Sequence, residues 1–253
     1  MRKLFIIGIG AGDPEYMTIQ AINALNQVDV IFVVDKGREK QALARLRTEV
    51  CERFIDEETY RVVPIADPER DRTASAYGAA VDDWRRRRAE AYEAAILAEL
   101  ADDERGAFLV WGDPAIYDST LAIVEEVLAR GAVTLEYEVI PGISSIQALA
   151  ARHKVALNRV GEPIQITTGR RLKETRSEDV ENVVVMLDAD NAYRGVASEE
   201  IDIYWGAYVG TEDEILISGA LPEVEVQIEQ VRHEARQRIG WIMDTYLLRR
   251  RRR

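Results

Sequence analysis

Cysteine and histidine are scarce in this 253-residue chain, which has one cysteine, Cys51, and two histidines. A lone cysteine excludes a disulfide framework and a zinc–cysteine cluster. Two histidines leave little for a metal site, so no metal is expected. Cys51 itself reads as an inert thiol. No stretch approaches the roughly 20 apolar residues that a bilayer-spanning helix needs. The opening Met1-Arg2-Lys3, followed by LFIIGIGAGD, imitates a secretory leader. Gly8, Gly10, Gly12 and Asp13 break its apolar region early, however, and no small-residue cleavage site follows. The expectation is a cytoplasmic protein.

An excess of positive charge is also lacking. Basic residues number 33 against 45 acidic ones, for a formal net charge of −12. Nucleic-acid proteins usually carry a basic surface, so no nucleic-acid partner is expected. Five of the basic residues are lysine and 28 are arginine. Arginine's planar fork suits carboxylates, and a local basic pocket for an anionic small molecule stays open. The run Arg249–Arg253 reads as a solvated tail. At roughly 100–200 residues per domain, the length admits one large domain or two compact ones.

Short apolar runs punctuate the chain. Residues 4–9 (LFIIGI) have the unbroken pattern of a parallel strand buried on both faces. From Thr18, a candidate N-cap, Ala21, Ile22, Leu25 and Val28 fall at helical spacing. Val30–Val34 is a second buried strand, closed by Asp35. This order marks a parallel α/β sheet. Residues 77–100 read as one long helix or two stacked ones. The run Trp84–Arg88 spreads charge around the whole circumference, as on a solvated helix. Ala107–Val110 is another buried strand, followed by WGDPAIYDST and an amphipathic helix ending at Gly131. Leu135–Ile140 leads into Pro141-Gly142-Ile143-Ser144-Ser145, a sharp strand-to-helix turn. Strands then dominate at 164–167, 183–187, 203–208 and 214–217, before an acidic helix over 223–238 and a last strand over 241–246. The expected domains are residues 1–157 and 158–253.

Two glycine loops follow buried strands. Gly8-Ile9-Gly10-Ala11-Gly12-Asp13 is one residue short of the G-x-G-x-x-G turn that seats a dinucleotide pyrophosphate, and Pro14 follows at once. Asp35 nevertheless stands where a ribose-binding acid would, so a dinucleotide-binding oxidoreductase is kept as an alternative from another class. No G-x-x-x-x-G-K-[ST] loop occurs, which removes the P-loop nucleotidases. Trp111-Gly112-Asp113-Pro114-Ala115-Ile116-Tyr117 also sits at the carboxyl end of a strand, where open parallel sheets bind ligands. Glycine there admits a ligand close to the backbone. Asp113 could meet a cation, a hydroxyl or its own backbone.

In order and spacing, GIGAGDPEYMT near residue 10, GDPAIY near 113, PGISS near 142 and Gly210-Thr211-Glu212-Asp213-Glu214 resemble the tetrapyrrole methylases. These are S-adenosylmethionine-dependent enzymes of corrin and sirohaem synthesis, and the resemblance covers essentially the whole chain. The ending GWIMDTYLLRR, the segment VVDKG and the charged stretch over residues 60–100 are similar to the branch that serves the aerobic cobalamin pathway. The fold so implied is α/β. It comprises two α/β/α domains, a largely parallel N-terminal sheet and a mixed C-terminal sheet, with the ligand cleft between them, in a homodimer.

The implied cofactor is S-adenosyl-L-methionine, leaving as S-adenosyl-L-homocysteine. Its contacts carry over onto Gly10, Ala11, Gly112, Asp113, Ile116 and Tyr117, and onto Ser144, Ser145, Leu187, Gly210 and Thr211. Ala11 stands where the family usually has proline, and Glu212 replaces the proline of G-T-P. The implied substrate is a precorrin, a macrocycle fringed with acetates and propionates. Lys36, Arg152, Arg170, Arg171 and Arg194 are the candidates to meet those charges.

The implied reaction joins methylation at ring carbon C1 to loss of the extruded acetyl group as acetate. Its second half needs a water and a general base. Asp35 ranks first, with Asp113 and Asp118 also at or near strand ends; capping or a turn is the alternative for each. His153 is another candidate base. Within the family, the alternative is methylation at a different precorrin position. A module that keeps the cofactor site without catalysis is a further reading.

Overall fold

The structure is a computed structural model, and it describes residues 1–35, 41–57, 59–68 and 77–251. The chain forms two units, Met1–Ile143 and Ser144–Arg253. The sequence reading placed the change of character later, near residue 158.

The first unit is built on β1 (Arg2–Gly8), β2 (Val30–Asp35), β3 (Arg61–Ala66), β4 (Arg105–Val110) and β5 (Leu135–Ile140). They form one sheet in the order β3-β2-β4-β1-β5, with every pair parallel. The apolar runs do not alternate because both faces of the sheet are covered. Leu4, Ile6, Val30, Phe32, Phe108 and Val110 pack with Tyr92, Ile96, Ile123 and Val124 on one face. Phe5, Ile7, Ile31, Ala107 and Leu109 pack with Ala21, Leu25, Leu46 and Val50 on the other. Each fully buried Val, Leu, Ile or Phe among them contributes roughly 1.5–3 kcal/mol. Cys51 is buried in this second layer, and desolvation pushes its thiol up to about 11, which leaves it protonated and inert at neutral pH.

The helices of this unit are α1 (Ile19–Leu25), α2 (Gln41–Phe54), α3 (Tyr77–Glu99) and α4 (Thr120–Arg130). Thr18 caps α1 by accepting the Ala21 amide at 3.1 Å, and Gly131 ends α4 in the left-handed conformation. Neither α2 nor β3 was anticipated. α3 is a single helix, and only part of its arginine run is solvated. Arg86 and Arg87 pair with Asp83 at the surface. Arg88, by contrast, is buried, 2.9 Å from Asp67, with its guanidinium 4.7 Å from the Trp84 ring centre. Its Nη1 donates to Ser119 at 2.8 Å.

The second unit carries α5 (Ser145–His153), β6 (Gln165–Thr168), α6 (Gly169–Leu172), β7 (Asn182–Met186), β8 (Ile201–Ala207), β9 (Ile215–Ala220), α7 (Leu221–Ile239) and β10 (Asp244–Arg250). Its sheet runs β6-β7-β10-β8-β9; β6 and β7 are parallel and the other pairs antiparallel. The mixed second sheet therefore agrees with the expected fold class. The last strand starts at Asp244 and runs on through Arg250, so the closing arginines are not simply a solvated tail. Arg249 donates to Asn182 at 3.1 Å, and Arg250 donates to the Val180 carbonyl at 3.1 Å and to Glu200 at 2.8 Å. Adding a strand satisfies that backbone, and the carboxylates around it supply the charge that the tail reading overlooked.

Candidate active site

A parallel sheet brings all its carboxyl ends to one edge. In the first unit, three of these ends meet backbone to backbone. Gly10 and Gly112 exchange two hydrogen bonds, from Gly112 N to Gly10 O at 2.8 Å and from Gly10 N to Gly112 O at 3.3 Å. Both have positive φ, +81° and +72°. The third end joins through Gly142. A Cβ on Gly8 would lie 2.5 Å from the Gly142 nitrogen and 2.8 Å from the Gly112 oxygen. No side chain fits there, so the loops after β1, β4 and β5 close upon one another.

Asp113 fastens that closure. One carboxylate oxygen accepts the Ala115 amide at 2.8 Å, forming a local turn, and the other accepts the Gly142 amide at 2.9 Å. The loop after β4 is thus tied to the turn after β5 by a side chain holding two backbone donors. Tyr117 follows in the left-handed region at φ +50° and stays 47% exposed. An aromatic residue in that conformation costs on the order of 1–3 kcal/mol and clusters at functional sites. Ile116 is half-buried and Ala11 buried. Asp118 accepts the Thr120 amide at 2.7 Å and so caps the start of α4. Of Asp35 only the backbone is described, at the end of β2 opposite Ala66. Lys36 lies outside the described residues.

In the second unit, strand register collects another group at one edge. Thr168 pairs with Met186, Met186 with Thr245, and Thr245 with Gly206. Leu187, Ser145 and the turn after β8 therefore share that edge. Ser145 Oγ lies 3.1 Å from Thr245 Oγ1. Ser144 is buried and occupied in capping α5, where its oxygen accepts the Ile146 amide at 3.2 Å. Leu187 is left-handed at φ +53° and 65% exposed, so a strained backbone presents an apolar side chain outward. Gly210 donates to Glu214 at 2.9 Å, and Thr211 Oγ1 donates to the Tyr208 carbonyl at 2.8 Å.

A buried polar network stands beneath Leu187. Asp188 accepts the Ala192 amide and the Tyr246 hydroxyl, both at 2.7 Å, through one oxygen, and the Asp190 amide at 3.0 Å through the other. Arg232 from α7 donates to the Asp188 carbonyl at 2.5 Å and to Asp244 at 2.9 Å, and Trp205 also donates to Asp244, at 3.0 Å. Burial pushes the Asp244 carboxyl up, while Arg232 and Trp205 hold it down. The left-handed turn at Leu187 is thereby fixed from below by groups on α7 and β10 that hold the adjoining Asp188, and by Trp205 of β8 through Asp244.

Among the expected substrate residues, Arg152 is held 2.5 Å from Glu214, whose other oxygen accepts Gly210, so it buttresses that turn. Arg171 pairs with Glu174, just past the end of α6, at 2.9 Å, and Arg194 reaches Glu229 of α7 at 3.1 Å. Arg170 is exposed. His153 sits 3.0 Å from the Trp205 carbonyl, and burial lowers its pKa, which favours neutral imidazole at pH 7. Among the described residues, no three His, Cys, Asp or Glu side chains gather as a metal-binding group, and no helix is long and apolar enough to cross a membrane.

The family model for tetrapyrrole (corrin/porphyrin) methylases matches residues 3–225. The chain belongs to that family. It is 53% identical over 249 residues to the precorrin-6A synthase [deacetylating] of a Sinorhizobium species, covering 98% of this chain and 95% of the relative. It is 30% identical over 184 residues to the precorrin-2 C(20)-methyltransferase of Sinorhizobium, covering 69% and 71%. The crystal structure of a cobalamin synthesis related protein (CobF) from Corynebacterium diphtheriae superposes with a TM-score of 0.86 at 39% identity, covering 99% of both chains. A Thermus thermophilus uroporphyrin-III C-methyl transferase, solved with S-adenyl homocysteine, shares the fold at a TM-score of 0.59 and 18% identity, over 98% and 97%.

For a methylase of this family, the sequence reading named the loops but not the groups that support them. Gly8 and Gly142 were visible inside the motifs, yet only the close approach of three strand ends reveals why glycine is needed. Asp188 directly follows the apolar run 183–187, a carboxylate at a strand end, and that was its signal. Arg232, Asp244 and Tyr246 gave no local signal, because their partners lie on different elements.

Proposed function

We propose that the chain is an S-adenosylmethionine-dependent C-methyltransferase of the aerobic cobalamin pathway. It converts precorrin-5, S-adenosylmethionine and water to precorrin-6A, S-adenosylhomocysteine and acetate, with methylation at ring carbon C1. The observation that carries this reading is the 53% identity, over nearly the whole chain, to a precorrin-6A synthase [deacetylating]. The glycine edge of the first unit, with Tyr117 exposed beside it, suits a cofactor that must approach the backbone closely.

Bound S-adenosylmethionine would supply an electrophilic methyl group on sulfonium. The chain's part is alignment, which reaches about 7–11 kcal/mol in favourable systems. In this reading Gly10, Ala11, Gly112, Ile116 and Tyr117 contact the cofactor, and Asp113 holds their loop in shape. Ser144, Ser145, Leu187, Gly210 and Thr211 complete the set. Asp35 is the base that takes a proton from the water attacking the acetyl carbon, with Asp113 and Asp118 ranked behind it because each is occupied by backbone amides. Lys36, Arg152, Arg170, Arg171 and Arg194 meet the substrate carboxylates. Exposed ion pairs are worth about 0–1 kcal/mol, so Arg171 and Arg194 can exchange theirs cheaply, whereas Arg152 would release a nearly buried Glu214. A homodimer in the cytoplasm belongs to the same reading, and light scattering at twice the monomer mass would support the dimer.

Calorimetry tests the cofactor half. S-adenosylhomocysteine should bind at one site per chain and NADPH should not; NADPH binding without S-adenosylhomocysteine binding would install the oxidoreductase reading instead. Asp35→Asn should bind S-adenosylhomocysteine normally yet release acetate slowly, and an unchanged acetate yield removes Asp35 from the mechanism.

A further inference from the structure

Beyond Phe32 and Phe108, the first unit's sheet opens on one side. β2 pairs with β4 only at Val30–Gly106, Ile31–Ala107 and Phe32–Phe108, whereas β1 follows β4 as far as Gly8–Val110. The Val110 carbonyl is taken by the Ile9 amide at 2.9 Å, on the β1 side. Backbone carbonyls alternate along a strand, so that of Leu109 faces β2 with no ladder partner there. Arg47 of α2 supplies one, its Nε donating to the Leu109 oxygen at 3.1 Å. A guanidinium is thus inserted where β2 and β4 part, at the edge that carries the Asp113 loop.

Arg47 differs from the other arginines around it. Arg53 of the same helix pairs with Glu15, and Arg88 from the opposite layer pairs with Asp67. Among the described residues, no carboxylate forms an ion pair with Arg47, and no hydrogen bond occupies its two Nη atoms. Desolvation holds the guanidinium below its usual pKa, and the charge of Asp118, which forms no ion pair with it, offsets that only in part. A cation removed from water with no ion-pair partner among the described residues is costly to the fold. Such a residue is worth keeping where a ligand brings the missing charge. With Nε already used, the two Nη donors form a fork that matches the two oxygens of a carboxylate.

We infer that Arg47 is a substrate-binding residue that grips one peripheral carboxylate of the tetrapyrrole at the open end of the β2–β4 gap. The inference rests on the tetrapyrrole reading above and adds to it a residue outside the expected basic set. Arg47 positions the macrocycle by that carboxylate and takes no part in the methyl transfer itself.

Uroporphyrin III, a stable octacarboxylate, serves as the probe, with binding followed by the shift of its Soret band. Wild type should bind it, and Arg47→Gln should weaken binding about tenfold or more. Arg47→Lys should recover part of the loss, since an ammonium supplies charge without the fork. Arg53→Gln, on the same helix, should bind as wild type does. S-adenosylhomocysteine affinity by calorimetry should be unchanged in all four proteins. Arg47→Gln binding the porphyrin within twofold of wild type would overturn the inference alone. Loss of S-adenosylhomocysteine binding in Arg47→Gln would also overturn it, showing that Arg47 merely props the Leu109 carbonyl. Wild type failing to bind the porphyrin would overturn the tetrapyrrole reading and this inference with it.

Discussion

Asp113 joins what the sequence could say about a residue to what only coordinates add. From sequence it was an acid in a loop, free to be a base, a ligand or a turn former. In the structure both its oxygens hold backbone amides, one two residues further along its own loop and one from another loop. The first bond is local and legible in the order Asp-Pro-Ala, whereas the second depends on β5 lying near β4's exit. Asp113→Ala would leave the Gly142 amide without its acceptor, a loss of about 1–3 kcal/mol. The expected outcome is a lower melting midpoint and a fall of at least about tenfold in S-adenosylhomocysteine affinity by calorimetry. Normal affinity would separate the loop from cofactor binding. Arg88 makes the converse point. One residue in a charged run turned inward because Asp67 and Ser119 meet it from other segments and Trp84 lies one turn away on its own helix.

Among elements, those whose apolar side chains follow one another were read correctly, because burial on both faces leaves an unbroken run. β1, β2, β4 and β7 are of this kind, whereas β5 was read from its alternation. β3 (RVVPIA) carries a proline and is mostly exposed, and α2 is largely polar, so neither stood out from the charged stretch around it. β10 began later and ran further than its apolar residues suggested, since arginine side chains can leave a strand's end while its backbone stays paired. The turn after β7 depends on interactions among elements too. Leu187 is held left-handed over Asp188, Arg232 and Asp244. Asp244→Asn would leave the Arg232 guanidinium buried without its counter-charge, which costs about 3–5 kcal/mol. A fall in melting midpoint on the order of 10 °C is expected, with weaker S-adenosylhomocysteine binding. Pairing it with Arg232→Met should restore part of the midpoint, because both charges then go together. An unchanged midpoint in Asp244→Asn would remove the network from the account.

Across the whole molecule, a net charge of −12 has to coexist with an anionic substrate. Most of the arginines described here are spoken for by carboxylates, so the sum of charge says little about any one site. The family and its fold were legible because four short motifs keep order and spacing over the full chain, and the family match over residues 3–225 agrees. The supports of the site were not, because their partners come from distant segments.

The most direct test is to incubate the purified protein with precorrin-5 and methyl-labelled S-adenosylmethionine and count both products. One labelled methyl group in the ring and one acetate released per turnover is the predicted result. Methylated product without acetate, or neither, would contradict the assignment.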